Sequence, residues 1–271
     1  MSLVRIRFLP LAAAVALSAI PALAVTKMVV TVVEQKTGQA ITDLKAADFI
    51  VLDDRTPRRV ESAEYTTTPV DVMLLLDTSL VGHMVQPVAA DLIARLDEKE
   101  QMAIVSFHSS ADLIQDFTAS KDLLRRAVAG VKYGNEPRLL DAIFAAADGG
   151  FESASYRRVI LLLTSGAEGN SRVSERGVIR LARKKGISVF PVYMLGYERS
   201  MFESLARQTG GALFSIRELG RNSTKPPAER AFNVLRGSYT LTLSGNLALG
   251  EKVKVEVSRP QKLFVSALPL E

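Results

Sequence analysis

Val70-Asp71-Val72-Met73-Leu74-Leu75-Leu76 runs straight into Asp77-Thr78-Ser79-Leu80-Val81. An apolar run of this length, broken only by Asp71, reads as a strand covered on both faces. It ends by handing a carboxylate and hydroxyls to a loop. Open α/β sheets place their binding sites there, beyond the carboxyl ends of the strands.

Outward from that strand, apolar runs and amphipathic segments alternate. Strands are expected at 102–107, 113–117, 158–163, 187–193 and 212–216, and helices at 87–96, 120–131, 139–151, 172–185, 200–209 and 228–236. Gly130, Gly186 and Gly210 stand where helices should stop. The alternation predicts an α/β fold with a mostly parallel, doubly wound sheet over 70–236.

The flanks have a different texture. Lys27–Glu34 is β-branched; Phe49–Asp53 and Arg59–Ala63 flank Asp54-Arg55-Thr56-Pro57 as a hairpin; Thr66–Pro69 reads as a polar linker. Beyond 236, Ser238–Leu243, Lys252–Val257 and Leu263–Ser266 read as half-solvated antiparallel strands, the first two forming a hairpin bounded by Gly245 and Gly250. Two-stranded elements are marginal in water. The N-terminal module (25–68) and the C-terminal strands (237–271) are therefore expected to meet in one small β-sandwich, with the α/β domain inserted between them.

Arg5 and Arg7, the apolar stretch Phe8–Ile20 and Pro21-Ala22-Leu23-Ala24 follow the basic, apolar, small-residue order of a secretory signal peptide cut after Ala24. An uncleaved anchor is the alternative reading, and no other stretch is long enough to span a bilayer. A secreted or periplasmic location follows. The chain has no cysteine, so thiol nucleophiles, thiolate ligands and disulfides are excluded. The net charge of +5 falls to +3 without Arg5 and Arg7. That balance and the export signal argue against nucleic acid. The cluster Arg180, Arg183, Lys184 and Lys185 reads as a solvated helix face.

Asp77-Thr78-Ser79-Leu80-Val81 resembles the first metal loop of a von Willebrand factor A domain. Glu100–Phe107 with Leu113–Thr118, Leu139–Ile143, Val159–Gly166 and Gly186–Phe190 resemble its later strands, helix and third metal loop. Asp43–Asp54 and Arg236–Tyr239 are similar to a bacterial, Acidobacteria-type group of von Willebrand A-related proteins. The resemblance implies the fold and a metal-ion-dependent adhesion site: Asp-x-Ser-x-Ser, a threonine from a second loop, an aspartate from a third, and a partner's carboxylate. Only Asp77 and Ser79 match. Val81 replaces the second serine, Pro137 falls at the threonine and Ser165 at the aspartate.

A hard dication wants oxygen ligands and sheds water reluctantly. Asp77 and Ser79 are thus a weak metal pair, and no cofactor is expected, with Mg²⁺ or Ca²⁺ the ions the motif would take. Glu136 and Glu168, beside the altered positions, are read as solvated loop charges. Asp77 without metal would accept N–H bonds from its own loop. The expected function is a non-catalytic module that binds a protein partner through Asp77, Ser79, Leu80, Val81, Pro137, Ser165 and Glu168. A hydrolase using Ser79 and His83, or a purely structural envelope protein, is the alternative. His108 is read as a surface residue, and Gly149-Gly150 and Gly210-Gly211 as helix exits. Asn222-Ser223-Thr224 fits a glycosylation sequon.

Overall fold

The computed structural model describes residues 25–217, 226–245, 249 and 253–270. The signal segment, the sequon and Gly250 lie outside the described residues.

The central sheet has six strands in the order β10-β9-β8-β5-β6-β7. These are β5 (Val70–Asp77), β6 (Gln101–Phe107), β7 (Ala111–Thr118), β8 (Arg157–Thr164), β9 (Ile187–Tyr193) and β10 (Phe214–Ser215). All neighbours are parallel except β7, an antiparallel edge strand. Every residue of β5 is buried, as its central place requires. Its side chains alternate between two cores. Val72, Leu74 and Leu76 pack with helices α1 (Gln86–Ala94) and α2 (Lys121–Ala129) and the last helix, α6 (Pro227–Arg236). Met73 and Leu75 pack with α3 (Leu139–Gly149), α4 (Glu175–Lys184) and α5 (Arg199–Gln208). Each fully buried aliphatic contributes about 1.5–3 kcal/mol of transfer free energy. A one-residue slip of β5 would exchange the two cores, so its register is fixed.

Two antiparallel sheets adjoin this domain. One has the order β13-β1-β11-β4, from β1 (Val25–Glu34), β4 (Val60–Thr67), β11 (Gly237–Ser244) and β13 (Leu263–Leu270). The other has the order β12-β2-β3, from β2 (Phe49–Asp53), β3 (Thr56–Arg58) and β12 (Lys254–Val257). Both mix N- and C-terminal strands. Met28, Val30 and Val32 of β1 meet Phe49, Val51, Tyr239, Leu241 and Val255 in their shared core. The opposite face of β1 looks to the α/β domain: Val33 joins that domain's core, and the Thr31 hydroxyl donates to the Gly210 carbonyl at 2.8 Å.

Two expected hairpins are corrected. Phe49–Asp53 pairs with Thr56–Arg58, through a turn in which Asp54 and Arg55 both have positive φ (46° and 69°), so the turn is tighter than 54–57. Arg59 onward leaves that sheet, and β4 pairs with β11 instead. Likewise β11 and β12 are not partners; β12 pairs with β2 and β11 with β1 and β4. Strict alternation fixes which face is buried but not which strand lies alongside. The expected linker is also shorter, because Thr66 and Thr67 complete β4 opposite Ser238 and Gly237. Helix α4 starts at Glu175, not at 172, because the Arg172 and Val173 N–H groups donate to Asp141 Oδ1 and Ser174 caps the helix.

Candidate docking site at the sheet rim

The strand ends bring Asp77, Ser79 and Ser165 together. Asp77 is fully buried, so an ionised carboxylate there must be met by donors. Its Oδ1 accepts the Ser79 N–H at 2.9 Å. Its Oδ2 accepts the Ser165 hydroxyl at 2.6 Å, the Ser165 N–H at 2.8 Å and the Thr164 hydroxyl at 3.1 Å. The Thr164 oxygen in turn accepts the Gly166 N–H at 3.1 Å. β5 and β8 are thus tied at their carboxyl ends through one carboxylate. The Ser79 hydroxyl is buried and makes no hydrogen bond.

Gly82 stands against the Asp77 backbone so closely that a Cβ would overlap the Asp77 carbonyl. Only glycine lets the 79–82 turn, closed by the Gly82 N–H to the Ser79 carbonyl at 2.8 Å, fold back over the carboxylate. The turn turns its apolar side chains outward: Leu80 is 68% and Val81 42% exposed. Thr78 is anchored inward, its N–H and hydroxyl both donating to the Phe107 carbonyl at 2.8 and 3.0 Å.

The second loop meets the third through Pro137 and Gly169, while the third alone reaches Asp77, through Ser165. The Pro137 carbonyl accepts the Gly169 N–H at 2.8 Å and the Leu139 N–H at 2.9 Å. Glu168 is not the solvated loop charge the sequence suggested. Its Oε2 accepts the Leu139 and Leu140 N–H groups at 3.0 and 3.3 Å, and its Oε1 the Ser171 N–H at 2.7 Å. It supplies from another loop the cap that Arg138, with no side-chain bond to the helix, does not give α3. Nothing local in the sequence marks that role.

The histidines stay apart from Ser79. His83 is exposed, with its Nδ1 3.1 Å from the Leu80 carbonyl. The half-buried His108 ring lies over Gly134, and its Nδ1 accepts the Ser109 N–H at 2.7 Å. Tyr133, absent from the sequence reading, stands on the same rim. Its phenol is pushed above the usual tyrosine range by burial, and further by the negative charge of Asp77. Among the described residues, no group of three or more His, Cys, Asp or Glu could hold a metal, and no helix is long and apolar enough to cross a membrane.

A parallel sheet wrapped by helices, carrying a buried Asp-x-Ser loop at its carboxyl rim, defines an open-faced α/β domain built around a loop site. The chain belongs to the von Willebrand factor type A domain family, whose model matches residues 71–224. No curated protein matches it significantly. Among solved structures it is similar to proximal thread matrix protein 1 from the mussel byssus, at 16% identity and a TM-score of 0.53 over 65% of this chain and 49% of that one. A form of the mussel protein with a zinc-occupied MIDAS motif gives a TM-score of 0.55 at the same identity and coverage. An aerotolerance-related membrane protein from Bacteroides fragilis is 12% identical with a TM-score of 0.47, over 61% of this chain and 98% of that one. The chain spans about half the length of the mussel protein.

Proposed function

We propose that this protein is a non-catalytic, secreted or periplasmic module that docks a protein partner through the rim around Asp77, Pro137 and Ser165, with a degenerate metal site. Its family is one of interaction modules, and in sequence its flanks, Asp43–Asp54 and Arg236–Tyr239, resemble a bacterial von Willebrand A-related group.

The observation that carries the reading is the state of Asp77. Three donors crowd Oδ2 and a backbone N–H occupies Oδ1. A dication would have to displace the Ser165 hydroxyl and shed its own waters, and Val81 and Pro137 offer no side-chain oxygen in return. The unpartnered Ser79 hydroxyl is a single oxygen, far short of the roughly six that a hard dication takes. We therefore read the donor set as unfit for a divalent cation. What the rim offers instead is apolar: Leu80 and Val81 project into solvent above a rigid, hydrogen-bonded floor. Small exposed apolar clusters of that kind suit the centre of a protein interface.

Capture of an envelope partner in the presence of a chelator tests this. The expected result is undiminished capture by the native protein and at least tenfold weaker capture by Val81→Asp. Loss of capture on chelation, or full capture by Val81→Asp, contradicts it.

A further inference from the structure

A groove of about 540 Å³ opens at the carboxyl ends of β9 and β10. Tyr193, Tyr197, Arg199, Ser215 and Arg217 line it around the backbone of residues 194–196. It shares a wall with the Asp77 site: the Met194 and Leu195 N–H groups donate to the Thr164 and Ser165 carbonyls at 3.2 and 2.9 Å. Gly166, with φ of 108°, sits so close to the Leu195 backbone that no side chain fits between them.

The electrostatics of the groove are one-sided. Among the described residues, two of its lining side chains are cationic and none is anionic. Arg199 also opens helix α5, whose first turn holds no acidic residue and whose N-cap, Glu198, makes no side-chain bond to the helix. A cation at that end adds to the positive helix terminus. Isolated exposed arginines contribute little to binding, but two around one concavity focus a positive potential into it. Arg199 already has a contact within the fold. A guanidinium carries five donors, so a side chain engaged within the fold can still present N–H groups to a ligand.

We propose that this groove receives an acidic segment of the protein partner, whose Asp or Glu side chains pair with Arg199 and Arg217 while Leu80 and Val81 take its apolar residues. The inference rests on the docking reading above. Tyr197, 75% exposed, with Met194 and Leu195, gives the groove an apolar side that an inorganic anion has no means to use. That favours a peptide over free phosphate.

Fluorescence anisotropy of the intact protein with a labelled Glu-rich octapeptide is the test. Saturable binding is expected, weakening with added salt and absent for the Gln-rich counterpart. The double variant Arg199→Ser/Arg217→Ser should bind about tenfold more weakly. Arg180→Ser/Lys184→Ser, on the outer face of α4, should bind as the native protein does, and all variants should keep the native thermal midpoint. Absence of binding, equal weakening by the α4 pair, or full displacement by inorganic phosphate would overturn the proposal. If it fails while Val81→Asp still releases the envelope partner, the acidic groove falls and the docking rim stands. If neither substitution matters, the rim falls too.

Discussion

The Ser165 hydroxyl donates to Asp77 Oδ2 across 2.6 Å, joining the ends of two neighbouring strands through a buried carboxylate. In the von Willebrand A pattern an aspartate would fall where Ser165 stands, and a cation would hold the two acids together. Here a hydroxyl stands where one acid would and donates its proton to the other. Ser165→Ala removes that donor and leaves Oδ2 with Thr164 and a backbone N–H. The expected cost is about 1–3 kcal/mol, read from the urea midpoint at unchanged slope. Native stability in the variant would mean the contact is incidental.

Glu168 has an effect that separates scaffold from docking surface. Glu168→Ala removes the carboxylate from the Leu139 and Leu140 N–H groups, leaving them the Pro137 carbonyl and the Ser171 hydroxyl, and should cost about 1 kcal/mol. Amide exchange at those two residues should quicken, while the 79–82 turn keeps its protection. Unchanged exchange at the start of α3 would refute the capping role.

Alkaline stability should be governed in part by the sandwich tyrosines. Tyr239 is buried beside Tyr65, ring centroids 5.1 Å apart, and its phenol oxygen accepts the Leu44 N–H at 2.9 Å. Burial raises both phenols above their ordinary value of 10.0, against the opposing Leu44 bond at Tyr239. A raised folded-state pKa binds protons more tightly in the fold, so the stabilisation is complete below pH 10 and is lost as pH rises through the folded value. Tyr239→Phe should cost about 1 kcal/mol at neutral pH by orphaning the Leu44 N–H, and should flatten the decline above pH 10. An unaltered alkaline decline counts against this.

β1 draws both of its neighbours, β11 and β13, from the far end of the chain. Deleting Ser238–Glu271 removes them together with β12, the outer partner of β2. Limited proteolysis of the truncated chain should therefore cut residues 25–68 rapidly. Protection of that segment would show that the N-terminal strands fold without their C-terminal partners.

The central sheet was legible because β5 needs apolar side chains on both faces, and a run such as Val72–Leu76 has few other uses. The starts of α2 and α3 were legible, but that of α4 was not, because Asp141 on α3 takes the Arg172 and Val173 N–H groups and delays the helix to its Ser174 cap. The Glu168 cap of α3 was not legible either, since it comes from a distant loop. Strand partners in the sandwich were not legible, since alternation in Lys254–Val257 states a buried face and says nothing of Phe49–Val51. At the site, the motif identified Asp77, Ser79 and Ser165. Tyr133 and the Arg199–Arg217 groove come together only through tertiary contact, and Gly82 earns its place from a backbone approach that no spacing announces.

Protein hydroxyls and N–H groups at Asp77 should leave its carboxylate no use for a dication. Titration calorimetry of the intact protein with Mg²⁺, Mn²⁺ and Ca²⁺ tests it most directly. The prediction is heat of dilution alone for all three ions. Saturable binding at micromolar affinity, weakened tenfold or more by Asp77→Ala, would contradict it.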